Sequence, residues 1–458
     1  MALKSSEYGT SKFPSTYTVE KSTTLQKTDM GNGNNKFYVL ELHKSSDKYR
    51  LYSRYGRTGS SGKEEERIPS SSWEAENEYD KIIRSKERKG YKQVAMAVTS
   101  KGSSVGNSKV LSDDVKKAPA KVANRSNLDP TLANLVANLY SDAGQACVSQ
   151  LNVNTHATSK NPLGTVTATQ IRQGRQILTE INGLLTKKPH LIDSIGDEIL
   201  EASNEFYSKI PHEIPLRPRD KEGREMHLKQ YCLNRPSILD EKNDFLDILE
   251  NVEDLISGFE SDDIDKKYEQ IKCKYELCGP DTEDHKAVVK YVKQSKSKHH
   301  HWGIDVVRVW KMQSAAQATY RTYMDKIGNV EPLFHGSRAG NILGICQKGL
   351  LLRPPGAYVT GSMFGNGLYF ADQSSKSTQY STARFGGSGG GRNIFYMFVA
   401  DVALGKIKEY ENAQTHLQKA PSGFDSVKGV KGRSLLHNEF IVYNIKQNQL
   451  QYLVEFTQ

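Results

Sequence analysis

From Asn35 onward the chain carries short apolar runs set between turn residues. "NKFYVLELH" and "KYRLYSRYGRTG" are dense in β-branched and aromatic residues, and the turn-forming "KSSD" separates them. They predict two antiparallel strands. "SSWEAENEYDKIIRS" follows with helical spacing: Ala75, Tyr79, Ile82 and Ile83 share one face, and Ser71 and Glu74 are spaced as a capping box. A small sheet with one helix is expected over 29–97. The residues before it, 1–28, are polar and rich in Ser, Thr and Lys, and read as a disordered tail. Those after it, 98–127, combine Gly, Ser, Pro and Lys with little apolar content and read as a linker. Its Lys116–Lys121 stretch suits either a nuclear-import or DNA-contacting element or, more simply, a solvated linker.

A helical pattern begins after Asp129. "DPTLANLVANLYS" puts Leu132, Leu135, Val136, Leu139 and Tyr140 at helical spacing, with Pro130 suited to the first turn. "DFLDILENVEDLISGFE" puts Phe245, Ile248, Leu249, Val252, Leu255, Ile256 and Phe259 on one face and acidic residues on the other. Such stripes pack cores, so 128–295 is expected to be an all-α domain without chemistry of its own. After Trp302, "GIDVVRVW", "NIFYMFVADVAL", "NEFIVYN" and "QYLVEF" are strand-like, and 296–458 is expected to be β-rich. The predicted fold class is α+β multidomain.

Composition fits this division. A chain of 458 residues suggests about three domains, and 36% hydrophobic residues suit several small cores better than one large one. The formal net charge of +10 is consistent with a polyanionic partner such as nucleic acid, or with solubility alone. No apolar run approaches the roughly 18 residues of a membrane span, so no membrane partner is expected. The N-terminus lacks the apolar core of a secretory signal. The five cysteines are scattered and odd in number, which reads as reduced intracellular thiols. Cys273, Cys278, His285 and the His299–His301 run fit no common zinc spacing, and no metal is expected.

"FHGSRAGN", Phe334 to Asn341, reads on its own as an ordinary turn that holds a histidine. Two further stretches change its weight. "MFGNGLYFADQSSKSTQY" follows it, and in "LLHNEFIVYN" one acidic residue, Glu439, interrupts an apolar strand. A buried, unpaired carboxylate is costly, which places Glu439 at a strand end or in a cleft.

In this order the three stretches resemble the catalytic domain of the poly(ADP-ribose) polymerases, the diphtheria-toxin-like ADP-ribosyltransferases. The family's His–Tyr–Glu signature falls on His335, Tyr369 and Glu439. "NPLGTVTATQI" and "FYSKIPHE" are similar to the family's helical regulatory domain. "NNKFYVLEL…YRLYSRYGRTG" is similar to its WGR domain, with Tyr55-Gly56-Arg57 at the name-giving triplet and tyrosine in place of tryptophan. The architecture resembles the shorter DNA-dependent members.

The resemblance implies transfer of ADP-ribose from NAD+, used as substrate, with loss of nicotinamide. Cleaving that N-glycosidic bond develops oxocarbenium character on the ribose, which the Glu439 carboxylate would stabilise while polarising an attacking hydroxyl. His335 would fix the ribose by a hydrogen bond. Gly336 and Ser377 would bind the nicotinamide amide, and Tyr380 and Tyr369 would wall its ring. Lys376 stands near the reacting centre, and Ser337 and Asn341 on the adenosine side. No Rossmann fingerprint is present; "GGSGGGR" at 386–392 reads as a flexible turn rather than a phosphate loop.

The domain order further implies stimulation by DNA strand breaks with 5′-phosphorylated ends or nicks. Tyr55 would stack on a terminal base or pack at an interface, and Arg57 would meet a phosphate or the helical domain; solvated strand charge is the plainer reading of Arg54 and Arg57. Two features bear on the product. Only "RSLLHN" separates "SVKGVKG" from Glu439, where long polymerases carry a larger loop, and His437 replaces a frequent tyrosine. Met363, at an acceptor-site position, favours polymer. Poly(ADP-ribose) is therefore the expectation. Mono- or oligo-ADP-ribosyl transfer, or a weakly catalytic DNA-end-binding scaffold, are the alternatives. Acceptors would be proteins including the chain itself, an accessory factor completing the site is left open, and the compartment would be the nucleus in a eukaryote.

Overall fold

The computed structural model describes residues 3–4, 13–14, 16–58, 60, 62–94, 126–150, 166–192, 194–212, 214, 231–253, 263–353, 363–382, 393–432 and 435–458. The chain divides into two compact units, Met1–Lys116 with Val148–Glu253, and Lys117–Cys147 with Asp254–Gln458. Residues 98–125 of the sequence's linker, its GGSGGGR turn, Leu255, Ile256 and Phe259, and the side chain of Val252 lie outside the described residues.

The first unit is built on a six-stranded antiparallel sheet. Its strands are β1 (Leu3–Lys4), β2 (Thr18–Asp29), β3 (Asn34–Ser45), β4 (Lys48–Arg57), β5 (Lys63–Arg67) and β6 (Lys92–Val94), in the order β1-β5-β4-β3-β2-β6. The expected hairpin is β3–β4, which closes at Ser45↔Lys48 with Ser46 in the left-handed region (φ 51°). Alternation along β3 sorts its side chains by face. Tyr38, Leu40 and Leu42 join Leu25 and Leu51 under helix α1 (Ser72–Arg88), which contributes Ala75, Tyr79 and Ile83. Ile82 packs only partly against this core. The N-cap differs from the expected box by one residue. Ser71 accepts from the Glu74 N–H, but the Glu74 carboxylate reaches back to the N–H of Ser70 instead.

Strand β2 corrects the expected tail, since residues 18–28 pair with β3 along their length. The strand escapes a hydropathy reading because, apart from Leu25, its buried residues Thr24, Gln26 and Thr28 are polar. Buried Gln26 donates to Asn35 Oδ1 at 3.0 Å and to Thr58 Oγ1 at 2.9 Å.

Among the described residues, three α-helices complete this unit: α3 (Ala168–Lys187), α4 (Asp197–Lys209) and α5 (Pro236–Glu253), numbered after α2 (Pro130–Gln150). Ile177, Leu178, Ile181, Ile199, Phe206, Phe245 and Leu246 fill the space between them. They are tied to the sheet by backbone contacts: Asn35 Nδ2 donates to His212 O (2.8 Å) and Met30 N–H to Asn204 Oδ1 (2.9 Å).

The second unit holds α2, α6 (Ile264–Ile271), and two sheets. One is β7 (Cys273–Cys278), β8 (Asp305–Ser314), β9 (Val330–Gly336), β11 (Phe395–Ala403) and β15 (Asn448–Thr457), antiparallel in the order β7-β8-β15-β11-β9. The other is β10 (Leu368–Phe370), β12 (Ile407–Tyr410), β13 (Ser426–Gly429) and β14 (Glu439–Val442), in the order β10-β14-β13-β12. A bridge between Phe334 and Ala371 joins them. Helix α7 (Glu283–Gln294) buries Val288 and Val292 against Val309, Phe334, Met397 and Phe456. Helix α8 (Tyr320–Ile327) packs Tyr320 and Met324 on Ala403 at the far end of β11. The expected boundary at 296 is therefore too late. Cys273–Cys278 is an edge strand of the sheet, and α7 packs on its core. Tyr140 of α2 donates to Lys267 O at 3.1 Å. Among the described residues, no helix is long and apolar enough to cross a membrane.

Candidate active site

Four segments converge at the junction of the two sheets. Strand β9 ends in His335 and Gly336; β10 carries Tyr369; helix α10 (Ser374–Ser381) carries Lys376, Ser377 and Tyr380; β14 begins with Glu439. Register fixes the arrangement: His335 pairs with Phe398, Tyr369 with Ile441, and Glu439 with Gly429. Glu439 thus stands at a strand end, where its carboxylate meets the cluster rather than the apolar interior.

His335 Nδ1 lies 2.9 Å from the Tyr369 carbonyl. A carbonyl only accepts, so Nδ1 carries the proton. Burial holds the imidazole's pKa below its usual value, which keeps the ring neutral and makes Nε2 an acceptor. Tyr369 spends its hydroxyl locally, donating to Gly365 O (2.7 Å) and accepting from the Phe364 N–H (3.0 Å), which fixes the ring as a wall.

Lys376 Nζ donates to Glu439 Oε1 at 2.7 Å and to Asn438 O at 3.1 Å. Burial lowers the ammonium's pKa, while the charges of Glu439 and Asp372 oppose that shift. The other carboxylate oxygen, Glu439 Oε2, is buried and has no protein partner. A desolvated carboxylate oxygen left in this way is the group that a bound hydroxyl or developing positive charge would satisfy. Tyr380 is 47% exposed, yet its hydroxyl pKa is raised by desolvation and then by the Glu439 charge. Its ring therefore borders the same carboxylate while offering one face to solvent.

Gly336 answers a requirement of its own. A Cβ built there would lie 1.9 Å from the Ser377 carbonyl oxygen, so helix α10 sits against β9 at a distance only glycine permits. Ser377 is buried behind that contact. Ser337 and Asn341 meet at the start of helix α9 (Ala339–Lys348), where Asn341 Nδ2 donates to Ser337 Oγ at 3.5 Å; the buried Asn341 Oδ1 has no partner.

Several residues around this cluster were not singled out by the sequence. Asn438 donates to Asp372 Oδ2 at 2.9 Å. Of the histidines weighed as zinc ligands, His300 is buried in an aromatic cage, whereas His299 and His301 are exposed and His285 Nδ1 lies 3.1 Å from Cys278 O. His300 stacks on Trp302 (4.3 Å between ring centroids) and meets His437 edge-on at 4.9 Å; its ring nitrogens contact Ser375 Oγ and Gln379 Nε2, each at 2.8 Å. Burial, and next the charge of His300, push the His437 pKa down to about 4. Only the run of three histidines in the sequence hinted at this cage. Among the described residues, no group of three or more His, Cys, Asp or Glu could hold a metal ion.

The Tyr55-Gly56-Arg57 triplet lies at the end of β4 in the first unit. Tyr55 stacks on Tyr38 (5.4 Å, 18°) beneath Lys86, and donates to Glu65 Oε1 at 2.5 Å; that bond, with burial, pushes its pKa up to about 12. Gly56 is required because a Cβ would sit 2.8 Å from Gly62 Cα. Arg57 donates through Nε and Nη2 to Ile214 O (3.2 and 2.7 Å) and through Nη1 to Gly33 O (3.2 Å). Ile214 belongs to the stretch expected as the helical domain, one of the two partners weighed for Arg57.

Comparison with known proteins agrees with this layout. Residues 21–98 match the WGR domain, 126–275 the poly(ADP-ribose) polymerase regulatory domain, and 282–434 the poly(ADP-ribose) polymerase catalytic domain. Among similar proteins, "Poly [ADP-ribose] polymerase 1" of Arabidopsis thaliana is 29% identical over 95% of this chain and 46% of its own length. "Poly [ADP-ribose] polymerase 2" of the same plant is 26% identical over 94% of this chain and 72% of its own. "Protein mono-ADP-ribosyltransferase PARP3" of Mus musculus is 26% identical over 94% and 87%. The chain thus spans about half of the first of these proteins and most of the other two.

Proposed function

Because this chain belongs to the poly(ADP-ribose) polymerase family, with WGR, regulatory and catalytic domains in that order, we propose that it transfers ADP-ribose from NAD+ to protein, releasing nicotinamide, when its WGR domain engages a DNA strand break. The observation that carries the chemistry is Glu439, held on one oxygen by Lys376 while the other is buried and unpartnered.

Each residue then has a defined task. NAD+ supplies the ribosyl group and a leaving nicotinamide. Neutral His335, protonated on Nδ1, accepts a ribose hydroxyl at Nε2 and sets the sugar's orientation. Glu439 Oε2 faces charge that develops only as the glycosidic bond breaks, so it favours the transition state over the bound substrate. Lys376 holds that carboxylate in place, its ammonium bonded to Glu439 Oε1 and Asn438 O beside the reacting centre. Tyr369 and Tyr380 form the walls, the Gly336 backbone and Ser377 Oγ bind the nicotinamide amide, and Ser337 and Asn341 serve the adenosine side.

The product we propose is polymer, on the position of Met363. The second reading, single or short additions, is favoured by the short RSLLHN stretch before Glu439. Tyr55, Gly56 and Arg57 belong to the DNA-responsive region. The partners in this reading are 5′-phosphorylated ends or nicks, and acceptor proteins including the chain itself, with room for an accessory factor completing the active site; the compartment is the nucleus in a eukaryotic host. Incubation with labelled NAD+, with and without a nicked 5′-phosphorylated duplex, tests it on one gel. A DNA-dependent ladder is expected; a single discrete shift would replace polymer by mono-transfer, and labelling indifferent to DNA would remove the break-sensing role.

A further inference from the structure

Asn438 lies between His437 and Glu439, and its side chain points to neither. Nδ2 donates to Asp372 Oδ2 at 2.9 Å, in the turn after β10, and Oδ1 accepts the Lys431 N–H at 2.8 Å, in the turn after β13. Its backbone carbonyl accepts from Lys376 Nζ at 3.1 Å, the ammonium that holds Glu439. One amide therefore joins three segments at the residue preceding the reacting carboxylate. Asp372 takes part twice, because its charge also acts on Lys376. Its second oxygen, Oδ1, is buried without a partner, so the Asn438 contact is the hydrogen bond that orients this carboxylate.

We infer that Asn438 is a positioning residue for the transferase reaction: clamped by Asp372 and by the Lys431 N–H, it fixes the start of β14 and the Lys376 site so that Glu439 meets the ribose in register. This rests on the function proposed above. An asparagine is needed because the clamp must donate to Asp372 and accept from Lys431 at once. Aspartate has the same shape but sets a second carboxylate against Asp372, and like charges at this range repel.

The test is a reciprocal exchange in the full chain, read as kcat and KM for nicotinamide release with melting temperatures alongside. Asn438→Asp is expected to lower kcat by on the order of 100-fold, the scale of a misplacement of about 1 Å, with KM for NAD+ changed less than about 3-fold. Asp372→Asn keeps an acceptor for Asn438 but removes a charge that acts on Lys376, so it lowers kcat, by less than Asn438→Asp does. The double variant, in which the amide and the carboxylate exchange places and the hydrogen bond between them runs the other way, recovers kcat to within about 5-fold of wild type. Full kcat in Asn438→Asp would overturn the inference, as would a double variant no better than that single one, or a loss confined to KM and melting temperature. Wild-type protein that releases no nicotinamide would refute the proposed function, and this inference with it. Turnover by wild type and an equally active Asn438→Asp would refute the inference alone.

Discussion

Gly336→Ala changes the smallest number of atoms and reports on the largest part of the site. The added Cβ would lie 1.9 Å from the Ser377 carbonyl oxygen and 2.7 Å from its carbonyl carbon, where ordinary contacts begin at 3.4 Å. The neighbour is helix backbone rather than a side-chain tip, so the strain is relieved only by moving α10 away from β9 by about 1.5 Å. Overpacking of this kind costs about 1–3 kcal/mol of stability, and the helix that moves carries Lys376, Ser377 and Tyr380. A shift above about 1 Å at a reacting centre costs on the order of 100-fold in rate. Nicotinamide release and a thermal melt are the assays, with expected losses of about 100-fold and several degrees. Wild-type activity with an unchanged melting temperature would show that the β9–α10 contact does not set the site.

Other perturbations follow from particular contacts. Tyr380→Ala should raise KM for NAD+ about 2- to 10-fold, the worth of one ring contact; an unchanged KM would exclude it as a wall. Arg57→Ala strips donors from Ile214 O and Gly33 O and should cost about 1–3 kcal/mol in denaturant unfolding, with Arg57→Lys recovering little because it lacks the planar fork. His212 and His335 both have pKa values depressed by burial. A depressed folded pKa gives stability that is fully present above the unfolded value of about 6.5 and lost as pH falls, by at most about 1.4 kcal/mol per pH unit for each histidine. His212→Phe, in its cage of Phe206, Tyr207 and Phe245, should flatten that acid slope, and an unchanged slope would contradict the assignment.

The parts of the fold that the chain discloses are those whose neighbours in sequence are neighbours in space. Ala75, Tyr79 and Ile83 follow helical spacing, and β3 and β4 meet through a two-residue turn, so local pattern suffices. Strand β2 fails the same test because Gln26 is buried by hydrogen bonds to Asn35 and Thr58, which hydropathy cannot weigh. Strand β7 fails for another reason: its pairing partner is β8, beyond an intervening helix. At the site, His335, Tyr369 and Glu439 were legible through their motifs. Asn438 was not, since its partner Asp372 is 66 residues away and neither position carries a motif of its own. The tautomer of His335 likewise depends on the carbonyl of Tyr369, a fact of geometry alone.

The central claim is that Glu439, braced by Lys376, promotes cleavage of the nicotinamide–ribose bond. The most direct measurement is nicotinamide release from NAD+ by the wild-type chain and by Glu439→Gln, each with a nicked 5′-phosphorylated duplex present, and with duplex binding recorded in parallel. Turnover by wild type, reduced at least about 100-fold in Glu439→Gln with duplex binding intact, is the expected result. Equal turnover by both proteins would contradict the role given to Glu439. Binding of the duplex without turnover by either would leave a DNA-end-binding scaffold in place of an enzyme.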